Sequence, residues 1–233
     1  MKPYQQTTIV ECGEPLVPIP LKEFAFVQPH PYRCLGAPYG NASPFYLRQG
    51  VLDRLRQAQD YLQQYQSNWR IQIFDAYRPV AVQQFMVEYT LAQTAKAQGF
   101  DPQALTEVQR KSILEQVYQI WAMPNYDPAM PPPHSTGAAI DVTLVNATGK
   151  LVDMGSPIDE LSPRSHPDYF KALLGDLPLR SPAGLATTTT RSSHLTQQQR
   201  DAAYEADQHR QLLQTVMVAA EFQRHPGEWW HFS

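Results

Sequence analysis

Two segments carry residue types that could do chemistry. One is His134-Ser135-Thr136-Gly137-Ala138-Ala139-Ile140-Asp141; the other is the tail Gly227-Glu228-Trp229-Trp230-His231-Phe232-Ser233. Together they supply two imidazoles and a carboxylate as candidate metal ligands, plus a second carboxylate, Glu228, three residues before His231. Three protein ligands with a fourth position left for solvent is the make-up of a catalytic rather than a structural zinc site. A spare carboxylate beside such a site can serve as general base. The composition therefore points to a zinc hydrolase.

The spacing constrains how these residues are presented. His134 and Asp141 are seven apart, which is wrong for adjacent turns of one helix and suits a loop ligand followed by a strand ligand. Gly137 between them allows a tight turn or a close backbone approach. Asp141 interrupts an alternating apolar run, where aspartate is disfavoured. An unpaired carboxylate is expensive to bury, so a metal or cation partner would account for it; a strand-end Asp capping a turn is the plainer alternative. In an ideal strand Glu228 and His231 face opposite sides, so one site requires the backbone to bend or bulge between them. The alternative is a strand packed by Trp229 and Trp230 with His231 at its frayed end. Arg78 lies where a strand gives way to a helix. Its guanidinium suits stabilisation of a developing oxyanion; a surface Arg or a structural pairing with Asp75 are the plainer alternatives.

The elements that must position these groups can be read from periodicity. Val51, Leu55, Ala58 and Leu62 recur at helical spacing and predict a helix over about 51–65. Residues 69–74 alternate as a strand, and Pro79 opens a helix running to about 97. A further helix is expected over about 102–121, then a proline-rich loop, 123–133. Residues 138–145 read as a strand, with 150–154 returning as its hairpin partner after the turn 146–149. Residues 155–193 look irregular, with a loop at Thr187–Thr190. Thr196 and Gln199 form a capping-box pattern that opens a long helix to about 223. A final strand should carry Glu228 to Phe232. Residues 1–49 read as loop-rich, with one short strand.

At 233 residues with no repeat or convincing linker, the chain reads as a single α+β domain over 1–233 with a small, mainly antiparallel sheet flanked by helices. An apolar fraction of 42% supports a real core and excludes wholesale disorder. A net charge of −3 with no Lys/Arg block argues against nucleic acid as partner. No apolar run is long enough to span a membrane, and the first residues lead into no signal-peptide core, so a cytoplasmic location is expected. Cys12 and Cys34 read as ordinary thiols. His30, His194, His209 and His225 read as surface or capping residues.

The segments taken together resemble the D-alanyl-D-alanine dipeptidase family of zinc peptidases, which includes the vancomycin-resistance dipeptidases. The family pattern Ser-x-His-x-x-Gly-x-Ala-x-Asp, followed later by Glu-x-Trp-His, is matched by His134-x-x-Gly137-x-Ala139-x-Asp141 and Glu228-Trp229-Trp230-His231. Tyr77-Arg78-Pro79, and Met154-Gly155-Ser156-Pro157-Ile158-Asp159 with Arg164-Ser165-His166, extend the likeness in the same order. The resemblance implies a DD-peptidase/hedgehog-like fold and one Zn2+ per chain held by His134, Asp141 and His231. It also implies Glu228 as general base, Arg78 at the oxyanion and Asp159 at the ammonium of a small dipeptide; the N-terminal third matches the family poorly, and Tyr39 or Tyr46 is expected to border the pocket. The family's Ser two residues before the first ligand is replaced by Pro132, which removes a hydroxyl and bears on substrate preference. Two other readings compete: a D,D- or L,D-carboxypeptidase acting on peptidoglycan stem peptides, and a non-catalytic zinc-binding recognition module. The retained Glu228 speaks against the latter. Oligomeric state is left open.

Overall fold

The computed structural model describes residues 8–175 and 195–233. The elements are β1 (Leu16–Pro18), β2 (Ala25–Phe26), α1 (Pro31–Cys34), β3 (Tyr46–Arg48), α2 (Gln49–Tyr65), β4 (Arg70–Asp75), α3 (Val80–Ala97), α4 (Glu107–Val117), β5 (Ile140–Val145), α5 (Tyr169–Leu173), α6 (Gln197–Ala219) and β6 (His231–Phe232). The architecture is α+β. β1 and β3 pair antiparallel, and a four-stranded sheet runs in the order β2-β4-β5-β6. No helix among the described residues is long and apolar enough to cross a membrane.

The chain divides into two compact units. The first comprises residues 1–22, 26–53 and 73–140; the second comprises 23–25, 54–72 and 141–233. In the first, α3 and α4 pack through Val82, Met86, Leu91, Ile113 and Val117 around Tyr32, Tyr39 and Trp121. In the second, Phe170 of α5 packs on Ala203 and Ala206 of α6, and Leu213, Val216 and Met217 continue the buried face of that helix.

Most predicted elements are present, with shifted ends. The buried stripe of α2 is Leu52, Leu55, Ala58 and Leu62, so Leu52 rather than Val51 begins it. The predicted helix over 102–121 contracts to α4, because Thr106 and Gln109 form a reciprocal capping box that starts it late. The capping box of Thr196 with Gln199 opens α6 as expected, but that helix stops at Ala219. The hairpin partner at 150–154 reduces to a bridge between Val145 and Leu151. The N-terminal stretch carries three short strands and a one-turn helix rather than one strand. The predicted Thr187–Thr190 loop lies outside the described residues. Cys12 and Cys34 are free and exposed.

Candidate metal centre and its surroundings

β5 lies between β4 and β6 in the sheet, and all six of its residues are buried. The expected in-out alternation is therefore inside on both faces: Ile140, Val142 and Leu144 on one, Asp141, Thr143 and Val145 on the other. Asp141, only 2% exposed, sits where a carboxylate is stable only with a partner. His134 arrives on the 3-10 turn Pro133–Thr136, which Gly137 ends in the left-handed region at φ 75°. A Cβ there would meet Leu16 Cδ2 at 2.3 Å, so both the dihedral and the close approach demand glycine.

The tail reaches the same place by bending. Gln223 and Ser233 exchange backbone hydrogen bonds of 2.8 and 3.0 Å, and the His225 amide donates to the His231 carbonyl at 3.0 Å. Only His231 and Phe232 are strand; Glu228 stands in the loop between, not in the extended strand expected from sequence. This bend removes the facing problem that ideal alternation posed. The Val142 amide donates to the Trp230 carbonyl at 3.0 Å, and His231 Nδ1 lies 3.0 Å from Asp141 Oδ1. Glu228 Oε2 is 3.8 Å from the same Nδ1, while its Oε1 is 3.6 Å from Nδ1 of His225. His225, expected at the surface or as a cap, accepts from the Gly227 amide at 3.2 Å and stands beside the tail carboxylate.

Structure brings the three predicted ligands together: one donor atom each from His134, Asp141 and His231 lies within 4.8 Å of the other two, and all three are buried. Their donor chemistry fits a divalent ion of borderline softness. The outer hydrogen bonding of His134 fits as well. Its Nδ1 donates to the Ala76 carbonyl at 2.7 Å, which leaves the lone pair on Nε2, the arrangement common to metal-bound imidazoles.

The turn carrying Arg78 is joined to the His134 turn by backbone. The Arg78 amide donates to the His134 carbonyl at 3.2 Å, and Ser135 Oγ donates to the Arg78 carbonyl at 2.7 Å. Arg78 is 4% exposed. It donates from Nε to Asp75 Oδ2 at 2.9 Å and from Nη1 to Gln83 at 2.8 Å, and it lies 5.0 Å over the rings of Tyr32 and Trp121. Asp75 is fully buried and also accepts from the Tyr39 hydroxyl at 2.9 Å and from His30 Nε2 at 3.1 Å. Burial alone would raise the Asp75 carboxyl, but the Arg78 charge and the His30 hydrogen bond outweigh it and hold the group below the usual carboxylate range.

Asp75, expected only as a possible mate for Arg78, is also bound by His30, which was expected at the surface or as a cap. His30 caps α1 by accepting from the Arg33 amide, as one of the two expectations had it, but it is 5% exposed rather than at the surface and binds Asp75. The legible signal was an Asp closing an alternating apolar strand three residues before an Arg. Asp159, half-buried, adopts φ 64°, a left-handed conformation uncommon for a residue with a side chain and frequent at functional sites.

The D-ala-D-ala dipeptidase family pattern matches residues 26–174 and 183–233. A D-alanyl-D-alanine dipeptidase of Synechocystis sp. is 47% identical over 233 residues, covering 100% of this chain and 87% of the relative. The D-alanyl-D-alanine dipeptidase of Escherichia coli is 31% identical over 99 residues, 42% of this chain and 36% of the relative. A metal-ligand cluster beside a buried carboxylate, inside a chain matched along nearly its whole length, leads to one conclusion: this chain belongs to the D-ala-D-ala dipeptidase family of metallopeptidases.

Proposed function

We propose that residues 1–233 form one catalytic domain that hydrolyses D-alanyl-D-alanine or a closely similar dipeptide with a single zinc ion held by His134, Asp141 and His231. When bound, zinc supplies a Lewis acid that acidifies water and polarises a carbonyl oxygen. Glu228 accepts the proton of the attacking water and returns it to the leaving amine. Arg78, its guanidinium already oriented by Asp75 and Gln83, faces the negative charge that develops on the carbonyl oxygen. Asp159 pairs with the free ammonium of the dipeptide, which favours short substrates with an unblocked amino end.

The observation that carries this reading is the convergence of the three buried donors with Glu228 held beside one of them. The names of the relatives put D-alanyl-D-alanine first among substrates to try. The test is hydrolysis of D-Ala-D-Ala against a panel of L- and D-dipeptides, with chelator and after zinc is restored. Cleavage of D-Ala-D-Ala that chelation abolishes and zinc recovers is expected. Turnover that survives complete metal removal, or a preference for L,L-dipeptides, overturns the proposal.

A further inference from the structure

The buried stripe of α6 contains two charged residues, Asp207 and Arg210, among Ala203, Ala206, Leu213 and Met217. A cation in that position requires partners. Arg210, 5% exposed, spends its planar fork on a single loop. Its Nε donates to the Met154 carbonyl at 2.7 Å, Nη1 to the His166 carbonyl at 3.0 Å and Nη2 to Ser156 Oγ at 2.9 Å. The same Ser156 oxygen accepts from the Trp229 indole at 3.0 Å, and the guanidinium lies 5.1 Å over the Trp229 ring. The Trp229 amide donates to the Ser165 carbonyl at 3.0 Å. Gly155, at φ 77°, fits here only without a Cβ, which would meet Phe170 at 2.3 Å.

Both ends of the loop 154–166 and its Ser156 hydroxyl therefore hang on one side chain. That loop carries Asp159, and Trp229 directly follows Glu228. We propose that Arg210 is the positioning residue of this enzyme: it holds the Asp159 loop and the Trp229 ring in a common frame, and so sets where the substrate ammonium and the general base stand. The proposal rests on the roles assigned above to Asp159 and Glu228. Burial lowers the Arg210 pKa, with the nearby Asp207 and Glu160 charges opposing, to about 9, so the side chain is cationic at neutral pH. Lysine would keep that charge but not the rigid planar fork that donates to three acceptors at once.

The experiment compares Arg210→Lys, Ser156→Ala and Asp159→Ala with the parent as zinc-loaded enzymes. It reads kcat and KM for D-Ala-D-Ala, the rate ratio of free to N-acetylated dipeptide, zinc content, and amide hydrogen exchange over 154–166 and 228–231. Arg210→Lys should retain zinc and lose about 10- to 100-fold in kcat/KM, as displacement of catalytic groups by about an ångström does. Its free-to-blocked ratio should fall, and exchange in both segments should rise. Ser156→Ala, which removes one shared acceptor, should change the same readouts in the same direction by less. Exchange unchanged in both segments, or kcat/KM of Arg210→Lys within about two-fold of the parent, overturns the proposal. If Asp159→Ala leaves the ratio unaltered, the ammonium assignment falls; faster exchange and lower kcat in Arg210→Lys would still uphold the clamp.

Discussion

Glu228 is buried, with its carboxylate oxygens 3.6 Å from His225 Nδ1 and 3.8 Å from His231 Nδ1. In the proposed mechanism this carboxylate moves the proton. Glu228→Gln should keep zinc and lose about 100- to 10,000-fold in kcat, the usual worth of a general base; parent-like turnover with zinc bound would remove Glu228 from the chemistry. Asp159→Ala should raise KM for free dipeptides and weaken discrimination against N-acetylated ones, read from paired steady-state assays. Asp75 matters through what it orients. Asp75→Asn takes the counter-charge from a buried Arg78 while keeping the shape, and breaking such a pair costs about 3–5 kcal/mol. Urea unfolding should show that loss of stability, and a midpoint equal to the parent's would contradict the central role given to this residue.

At the scale of elements, the proposed ligands and catalytic groups ride on turns and bends whose ends are held by stiffer pieces. β5 delivers Asp141, the 3-10 turn delivers His134, and the closed tail delivers Glu228 and His231. The loop 154–166 is held from within as well as by Arg210. Glu160 accepts from Arg164 Nε and Nη2 at 2.8 Å, and the Ser165 hydroxyl donates to the Glu160 carbonyl. Burial pushes the Glu160 carboxyl up, but the hydrogen bonds from Ser162 and Arg164 and the Arg164 charge prevail, and its pKa is lowered. A depressed folded pKa means that the stabilisation is fully present above the unfolded glutamate value of about 4.3 and disappears as pH falls through the folded one. Thermal melts should therefore lose stability as pH drops below about 4.3, with a shallower slope in Glu160→Gln. Identical slopes would show that Glu160 contributes nothing to the acid response. The pair is largely exposed on the arginine side, so the effect is small.

For the whole molecule, zinc that binds only the folded chain adds stability by mass action, about 1.4 kcal/mol for each tenfold rise in free metal above the dissociation constant. The melting temperature should fall on chelation and climb with the logarithm of added zinc; a melting temperature indifferent to zinc would argue against a site assembled by folding.

What the sequence determined by itself was the candidate residues and the local order. His134, Asp141 and His231 were legible as candidate ligands and Glu228 as a candidate base, with plainer structural readings beside them until the family resemblance assigned the roles, and α2, β4, α3 and α6 were legible because their periodicity and caps are short-range. Tertiary structure decided the rest. Alternation placed Glu228 and His231 on opposite faces of one strand; pairing between residues 223 and 233 turned that strand into a loop. Asp75 with His30, and Arg210 with the loop 154–166, join residues 45 and 44 to 56 positions apart. No local pattern encodes such partners, since what stabilises a buried charge is the set of groups that long-range packing brings to it.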